Sequence, residues 1–246
     1  MHRALLTALV FSIAVPATAQ EAASPPASTS DQDQNTQSAP TMNPEQIAAF
    51  NQAVADFNAG QQAQQGSDNM TALAKYEAAL PAVRDAVKAD PTNLDYVNFL
   101  ANALYATAAA NAALQKMDAI APLYEESAPY WRQIVKAKPA DAQSRMVLTS
   151  ILTQLGNVKL IAQDKAGAAP YYTEAMQLAH KSVAEKADAA NRNMLLSALV
   201  GASQASEDPA IKAEAATLSK AMLTDGTVDA INKPAAEILS QSAKAQ

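Results

Sequence analysis

The sequence repeats with a period of 48 residues, and this constrains the fold more than any other feature it carries. Shifted against itself by 48 positions without gaps, it aligns KYEAALPAVRDAVKADPTN from Lys75, LYEESAPYWRQIVKAKPAD from Leu123 and YYTEAMQLAHKSVAEKADA from Tyr171. Tyr76, Tyr124 and Tyr172 coincide, as do Val87, Val135 and Val183, and Leu100, Leu148 and Leu196. Pro81 meets Pro129, Pro91 meets Pro139 and Pro122 meets Pro170. A shorter fourth copy follows at an offset of 40, where Ala175, Leu178 and Val183 meet Ala215, Leu218 and Leu223. A fixed period of about 20 to 50 residues marks an array of supersecondary units that bury their apolar faces against one another.

Each unit reads as two helices. Apolar residues recur at helical spacing, as in Phe99, Leu100, Ala103 and Leu104, and the β-branched alternation of a strand is missing. Aromatic residues make up only 5% of the chain, so its core must be built from Ala, Leu, Val and Met, which suits closely packed helices. Asp90-Pro91-Thr92 and Lys138-Pro139-Ala140 punctuate the units, because proline suits the first turn of a helix and disfavours helix just before it. Asp164-Lys165-Ala166-Gly167 reads as a turn within the third unit, with Pro170 just inside the next helix. Pro81 and Pro129 fall inside predicted helices, at a typical cost of about 3 kcal/mol each. Their common phase predicts a shared kink or an element break.

With these residues the chain resembles the tetratricopeptide repeat family. In that family the second helix carries an aromatic, a small, a bulky residue and a closing proline. Here the series is Tyr76, Ala79, Val83 and Pro91, then Tyr124, Ser127, Trp131 and Pro139. The first-helix pattern is matched by Phe50 and Phe57, by Val97, Leu100 and Leu104, and by Leu148 and Leu152. Ala101, Thr149 and Ser197 stand where the family usually has glycine, and no Trp opens the first helix. The unit is also longer than the family's roughly 34 residues. The excess of 14 is close to four turns at about 3.6 residues each, so two added turns per helix keep both apolar faces in register. The expected fold is all-α: an elongated tetratricopeptide-like α-solenoid of antiparallel helix hairpins over 44–246. It has about four units and a capping helix from Thr227 to Ala245. The resemblance implies tyrosines packed between helices, Trp131 in the core, and a frame that binds rather than catalyses.

The N-terminus carries an address. A basic start at Arg3 precedes the apolar run Ala4 to Val15, Pro16 and the small residues Ala17-Thr18-Ala19. This reads as a secretory signal peptide over 1–19, cut after Ala19, and places the mature chain in the periplasm or outside the cell. Twelve apolar residues are too few for a span of about 30 Å, and no Cys follows them to take a lipid. Residues 20–43 hold Ala, Pro, Ser, Thr, Gln and Asp with Met42 as their only large apolar side chain, and read as a disordered linker. No later segment is long and apolar enough to cross a membrane; the best, Met146 to Ala162, is broken by Thr149, Ser150, Gln154, Asn157 and Lys159.

Composition narrows the function. There is no Cys, and only His180 survives signal cleavage, so thiolate chemistry is out and a zinc site would need three carboxylates that no cluster offers. The phosphate-cradling loop, the zincin pair and the nucleophile elbow are all missing; Gly201-Ala202-Ser203 reads as a helix end, and Glu125-Glu126 as a solvated face. A net charge of −6 argues against nucleic acid. The expectation is a non-enzyme without metal or cofactor that binds a protein or peptide partner of the cell envelope. A carrier or sensor of a small envelope component, a glycan or peptide fragment, is the alternative.

In the resembled family ligands lie on the concave surface lined by first helices. That implies a partner-binding set of Asn51, Asn58, Asp95, Asn98, Asn102, Tyr105, Gln143, Met146, Ser150, Thr153, Gln154, Asn191 and Met194. The amides and hydroxyls of such a surface both donate and accept hydrogen bonds, and it holds no Lys or Arg to clamp a terminal carboxylate. The alternative is that these are merely solvent-facing polar residues. A second pattern places one basic residue per unit at a common phase: Arg84, Arg132, His180 and Lys220. Such a ladder suits an anionic partner or, more plainly, pairing with neighbouring acids.

Overall fold

The computed structural model describes residues 42–242; the expected signal peptide and most of the linker lie outside them. Among the described residues there are nine α-helices, one short 3-10 turn and no strand. Four consecutive pairs are α1 (Pro44–Gln65) with α2 (Asn69–Ala89), α3 (Leu94–Ala113) with α4 (Ile120–Ala137), α5 (Ala142–Ile161) with α6 (Lys165–Glu185), and α7 (Ala189–Ala205) with α8 (Pro209–Asp225). A last helix, α9 (Lys233–Ser242), follows. The chain divides into two compact units between Tyr130 and Trp131, within α4.

The helix starts are written locally. Asn43 and Gln46 form a reciprocal capping box ahead of Pro44. Asp68, Asn93, Asp141, Asp164, Asp188 and Asp208 each accept a backbone N–H from the first turn of the helix that follows. Three hairpin turns share one geometry. Ser67, Gln115 and Gln163, spaced by the repeat period, have φ of 62°, 59° and 62°. The next residue then donates its N–H five back, Asp68 to Ala63 O, Lys116 to Asn111 O and Asp164 to Lys159 O. This is the Schellman closure, which satisfies carbonyls at a helix end by placing one residue in the left-handed region. It recurs at the end of α8, where Gly226 takes that conformation and Thr227 donates to Met222 O.

In the N-terminal unit α1 packs on α2 and α2 on α3. Phe57 sits at its centre, 5.3 Å from the Tyr76 ring and 5.2 Å, edge-on, from Phe99. In the C-terminal unit α5 to α9 pack each on the next, and α7 also meets α5. Its core includes Leu195 and Leu199 with Ala179 and Ala215, while Leu196, Met222 and Ala236 tie α9 to the last hairpin. The expected burial of Tyr76, Tyr124, Tyr172 and Trp131 holds for all four.

Several sequence expectations change. No element breaks at Pro81 or Pro129, and Pro170 lies in the second turn of α6 rather than at its start; all three helices run through. Each of these prolines is on the exposed side, where water can satisfy the carbonyl whose helical donor is lost. Lys165-Ala166-Gly167 is the first turn of α6, capped by Asp164. The capping helix begins at Lys233 instead of Thr227. Gly226 stops α8, and Asn193 holds the connection by donating to Thr227 O and accepting from the Asp229 N–H.

The glycine positions also move. Ala101 and Thr149, placed where glycine was expected, are simply buried. The close approach occurs instead at Gly60 and Gly156, each sixteen residues before a repeat tyrosine. A Cβ at Gly60 would stand 2.6 Å from the Tyr76 ring, and one at Gly156 2.7 Å from Tyr172. Gly201 meets the same Tyr172 ring, with a Cβ distance of 2.2 Å. A side chain at these points forces the ring or the helix aside.

Two substitutions test this account. Gly156→Ala should destabilise by about 1–3 kcal/mol, as overpacking does, while Gly66→Ala, whose Cβ meets nothing closer than 3.4 Å, should be near neutral in urea unfolding; equal effects would refute the packing. Lys116 stands where Asp68 and Asp164 cap their helices, makes no side-chain cap, and is followed by the 3-10 turn Met117–Ala119. Lys116→Asp should therefore stabilise by about 1 kcal/mol, and a loss of stability would show that the missing cap is not what delays α4.

Candidate functional site

The first helices differ in how much they leave accessible: α1 is buried only at Phe50, Ala53, Phe57 and Gly60, whereas α3 leaves one narrow face. Most of α3 is buried from Val97 to Ala112, so that Asp95, Asn98, Asn102 and Tyr105, at helical spacing, form its accessible stripe. On α1 Asn51 and Asn58 are exposed, each just after a phenylalanine (Phe50, Phe57) whose ring touches α3. These six residues belong to the N-terminal unit. In the C-terminal unit α5 shows exposed Gln143 and half-buried Met146, Ser150 and Gln154, while Asn191 and Met194 of α7 are half-buried.

Thr153 is a correction. It is 7% exposed, and its hydroxyl donates to Thr149 O, whose own hydroxyl donates to Arg145 O. The helix absorbs both threonines by back-bonding one turn up, so Thr153 offers nothing outward. Met194 packs against the cluster of Ala179, Leu195, Leu199 and Ala215. Asn191 donates from Nδ2 to Lys186 O and takes the Asp188 cap on its N–H, so it ties the helix start. The N-terminal stripe is freer. Asn102 Nδ2 donates to Asn98 O at 2.8 Å and Asn98 Oδ1 at 3.2 Å. Tyr105 stacks on Tyr124, ring centroids 6.1 Å apart at 25°.

The basic ladder is spent internally for three of its four members. Arg84 of α2 makes a bidentate bond to Glu126 of α4, at 2.7 and 2.8 Å. Arg132 of α4 repeats it on Glu174 of α6, at 2.8 and 2.7 Å. His180 of α6 stands 3.2 Å from Glu214 of α8. Each rung joins the second helix of one hairpin to that of the next, as pairing with neighbouring acids implied. These are partly exposed pairs, for which about 0.2–1 kcal/mol each is typical.

Sequence reasoning missed Arg145. It is 1% exposed, with Nε donating to Ser182 Oγ at 2.9 Å, Nη1 to Pro139 O at 3.0 Å and Nη2 to Glu185. It fastens the turn before α5 to the end of α6. The signal was in the repeat: the same phase holds Val97 in the preceding unit and Asn193 in the next, both buried. A charged residue at a core phase implies partners.

Among the described residues no group of three His, Cys, Asp or Glu side chains could hold a metal ion, and no helix is long and apolar enough to cross a membrane. No protein-family model matches the chain, and no curated protein matches it either.

The buried tyrosines predict alkaline behaviour. Burial pushes Tyr76 and Tyr105 up to about 12, and raises Tyr124 and Tyr172 further, Tyr124 with help from Tyr105. Unfolded tyrosine titrates near about 10. The folded state therefore keeps protons that the unfolded state loses, so its stability is intact below pH ~10 and declines as pH rises toward ~12 and beyond. Tyrosinate absorbance and helical circular dichroism should change together in that range. Four tyrosines ionising near pH ~10 with the helical signal intact would contradict the packing.

Proposed function

We propose that this chain is an exported, tetratricopeptide-like scaffold that holds a protein or peptide partner of the cell envelope along its first helices and performs no chemistry of its own. Cleavage after Ala19 would release it into the periplasm or the medium, with the linker of residues 20–43 letting the helical array reach from its point of exit. The pattern of exposure carries the reading. The first helices α3 and α5, half or more buried, keep a polar stripe accessible, whereas Arg84, Arg132 and His180 of the second helices each face an acid of the next second helix. Stacked hairpins offer such stripes ready-formed, which lowers the ordering cost of binding. Tyrosine, asparagine and glutamine are side chains that adapt to a peptide backbone.

The test is site-specific photocrosslinking in the producing cell. A photoreactive amino acid in place of Asn58, Asn102 or Ser150 should capture one and the same partner, and in place of Asp85 or Thr173, exposed on second helices, it should not. Capture from Asp85 and Thr173 alone would move the working surface to the second helices and overturn the reading. The exported chain should begin at Gln20.

A further inference from the structure

The three repeat tyrosines do not share one environment. In the first hairpin Tyr76 meets Gly60 and donates its hydroxyl to Gln64; in the third Tyr172 meets Gly156 and donates to Asn157. The corresponding stripe of α3 reads Tyr105, Ala108, Ala109 and Ala112, at i, i+3, i+4 and i+7 on one side of the helix. Ala108 stands at the phase of Gly60 and Gly156, where a Cβ would come within 2.6 Å and 2.7 Å of the tyrosine ring. Tyr124 thus cannot lie against the α3 backbone as Tyr76 and Tyr172 lie against their glycines. Ala112 and Ala109 stand at the phases of Gln64 and Asn157. The middle copy has the tyrosine without the amide.

Tyr124 is 2% exposed, and its hydroxyl has no hydrogen-bond partner among the described residues; nor has that of Tyr105, which stacks beside it. A hydroxyl buried without a partner is costly. Burial pushes Tyr105 up to about 12 and raises Tyr124 further, with Tyr105 adding to it, so both hydroxyls stay protonated donors at neutral pH. Phenolic donors beside alanine methyls suit an acetyl group, whose oxygen accepts from the hydroxyls and whose methyl meets the alanines. Neither α3 nor α4 as far as Trp131 carries a Lys or Arg. A carboxylate brought there would lose its water without gaining a cation, which favours a neutral amide. Tyr105 is half-buried and reaches the surface of α3, which gives a way in.

We propose that Tyr105 and Tyr124 hold the acyl oxygen of a small neutral N-acetyl compound, whose amide gives Tyr124 what Gln64 and Asn157 give the other two tyrosines. The site lies inside the second hairpin. It is independent of the scaffold reading, because it needs no partner along the first helices.

NMR of the full chain with isotopically labelled tyrosine rings tests this. N-acetylglucosamine and N-acetylglycinamide are the sugar and peptide forms of the amide; glucosamine lacks the acetyl group and acetate carries it as an anion. One or both amides should shift the Tyr105 and Tyr124 signals saturably and leave Tyr76 and Tyr172 in place, and the tighter of the two identifies the source. Tyr124→Phe keeps the ring, so it should retain the circular dichroism and weaken the amide about fivefold. Tyr105→Phe, at a half-buried position, should do the same, and Tyr171→Phe on α6 should change nothing. Ala112→Gln restores the pairing of the first hairpin and should suppress the shifts. Three results would overturn the proposal: neither amide moving the two signals, glucosamine or acetate moving them as strongly, or undiminished binding in both phenylalanine variants or in Ala112→Gln.

Discussion

A tyrosine ring laid against a glycine governs how closely the helices of this chain approach. Tyr76 rests on Gly60, and Tyr172 on both Gly156 and Gly201. Each ring fills the space that a Cβ would occupy, which lets two backbones close on a single aromatic layer. The hydroxyls are not stranded by this, because Tyr76 donates to Gln64 and Tyr172 to Asn157. An aromatic-poor chain needs few such rings if each one meets two helices. Alanine then fills the rest of the interface, and α3 from Ala106 to Ala112 is an almost unbroken run of small buried side chains.

Much of this was legible in the repeat. The period gave the hairpins, the phase of the tyrosines gave the packing face, and the basic phase gave the rungs. What stayed hidden has physical reasons. The glycines do not recur in every copy, since Ala108 occupies the phase between Gly60 and Gly156, so a strict search for repetition passes over them. Thr153 looks outward-facing by family register, yet a threonine can satisfy itself on its own helix and be buried there. Met194 reads equally as a contact or as core, and only the neighbouring cluster decides. Arg145 was hidden by its type, because arginine on a helix usually means solvent. Two of its partners, Ser182 and Glu185, are adjacent only in space.

The rungs and the stripes divide the labour of the two helices in a hairpin. Arg84, Arg132 and His180 of the second helices each face an acid of the next second helix. The stripe on α3 carries short amides, and Asn102 bonds back to Asn98 on its own helix rather than to a neighbouring element. Polar groups that cannot neutralise one another within the fold remain available to something outside it. The same short side chains also cost little entropy to hold still, so a face built from them is rigid before any ligand arrives.

The last described helix covers the final hairpin. Hairpins that stack on one another have no intrinsic stopping point, and an uncovered terminal face would accept the leading hairpin of another copy, then another, as a head-to-tail fibre. Ala236 and Leu239 of α9 close the apolar side of the final hairpin, against Leu196 and Met222 and against the Leu195–Leu199 cluster. The outer side of the helix carries exposed Lys233, Glu237 and Gln241. Ten residues thereby cover apolar surface of α7 and α8 that would otherwise face outward.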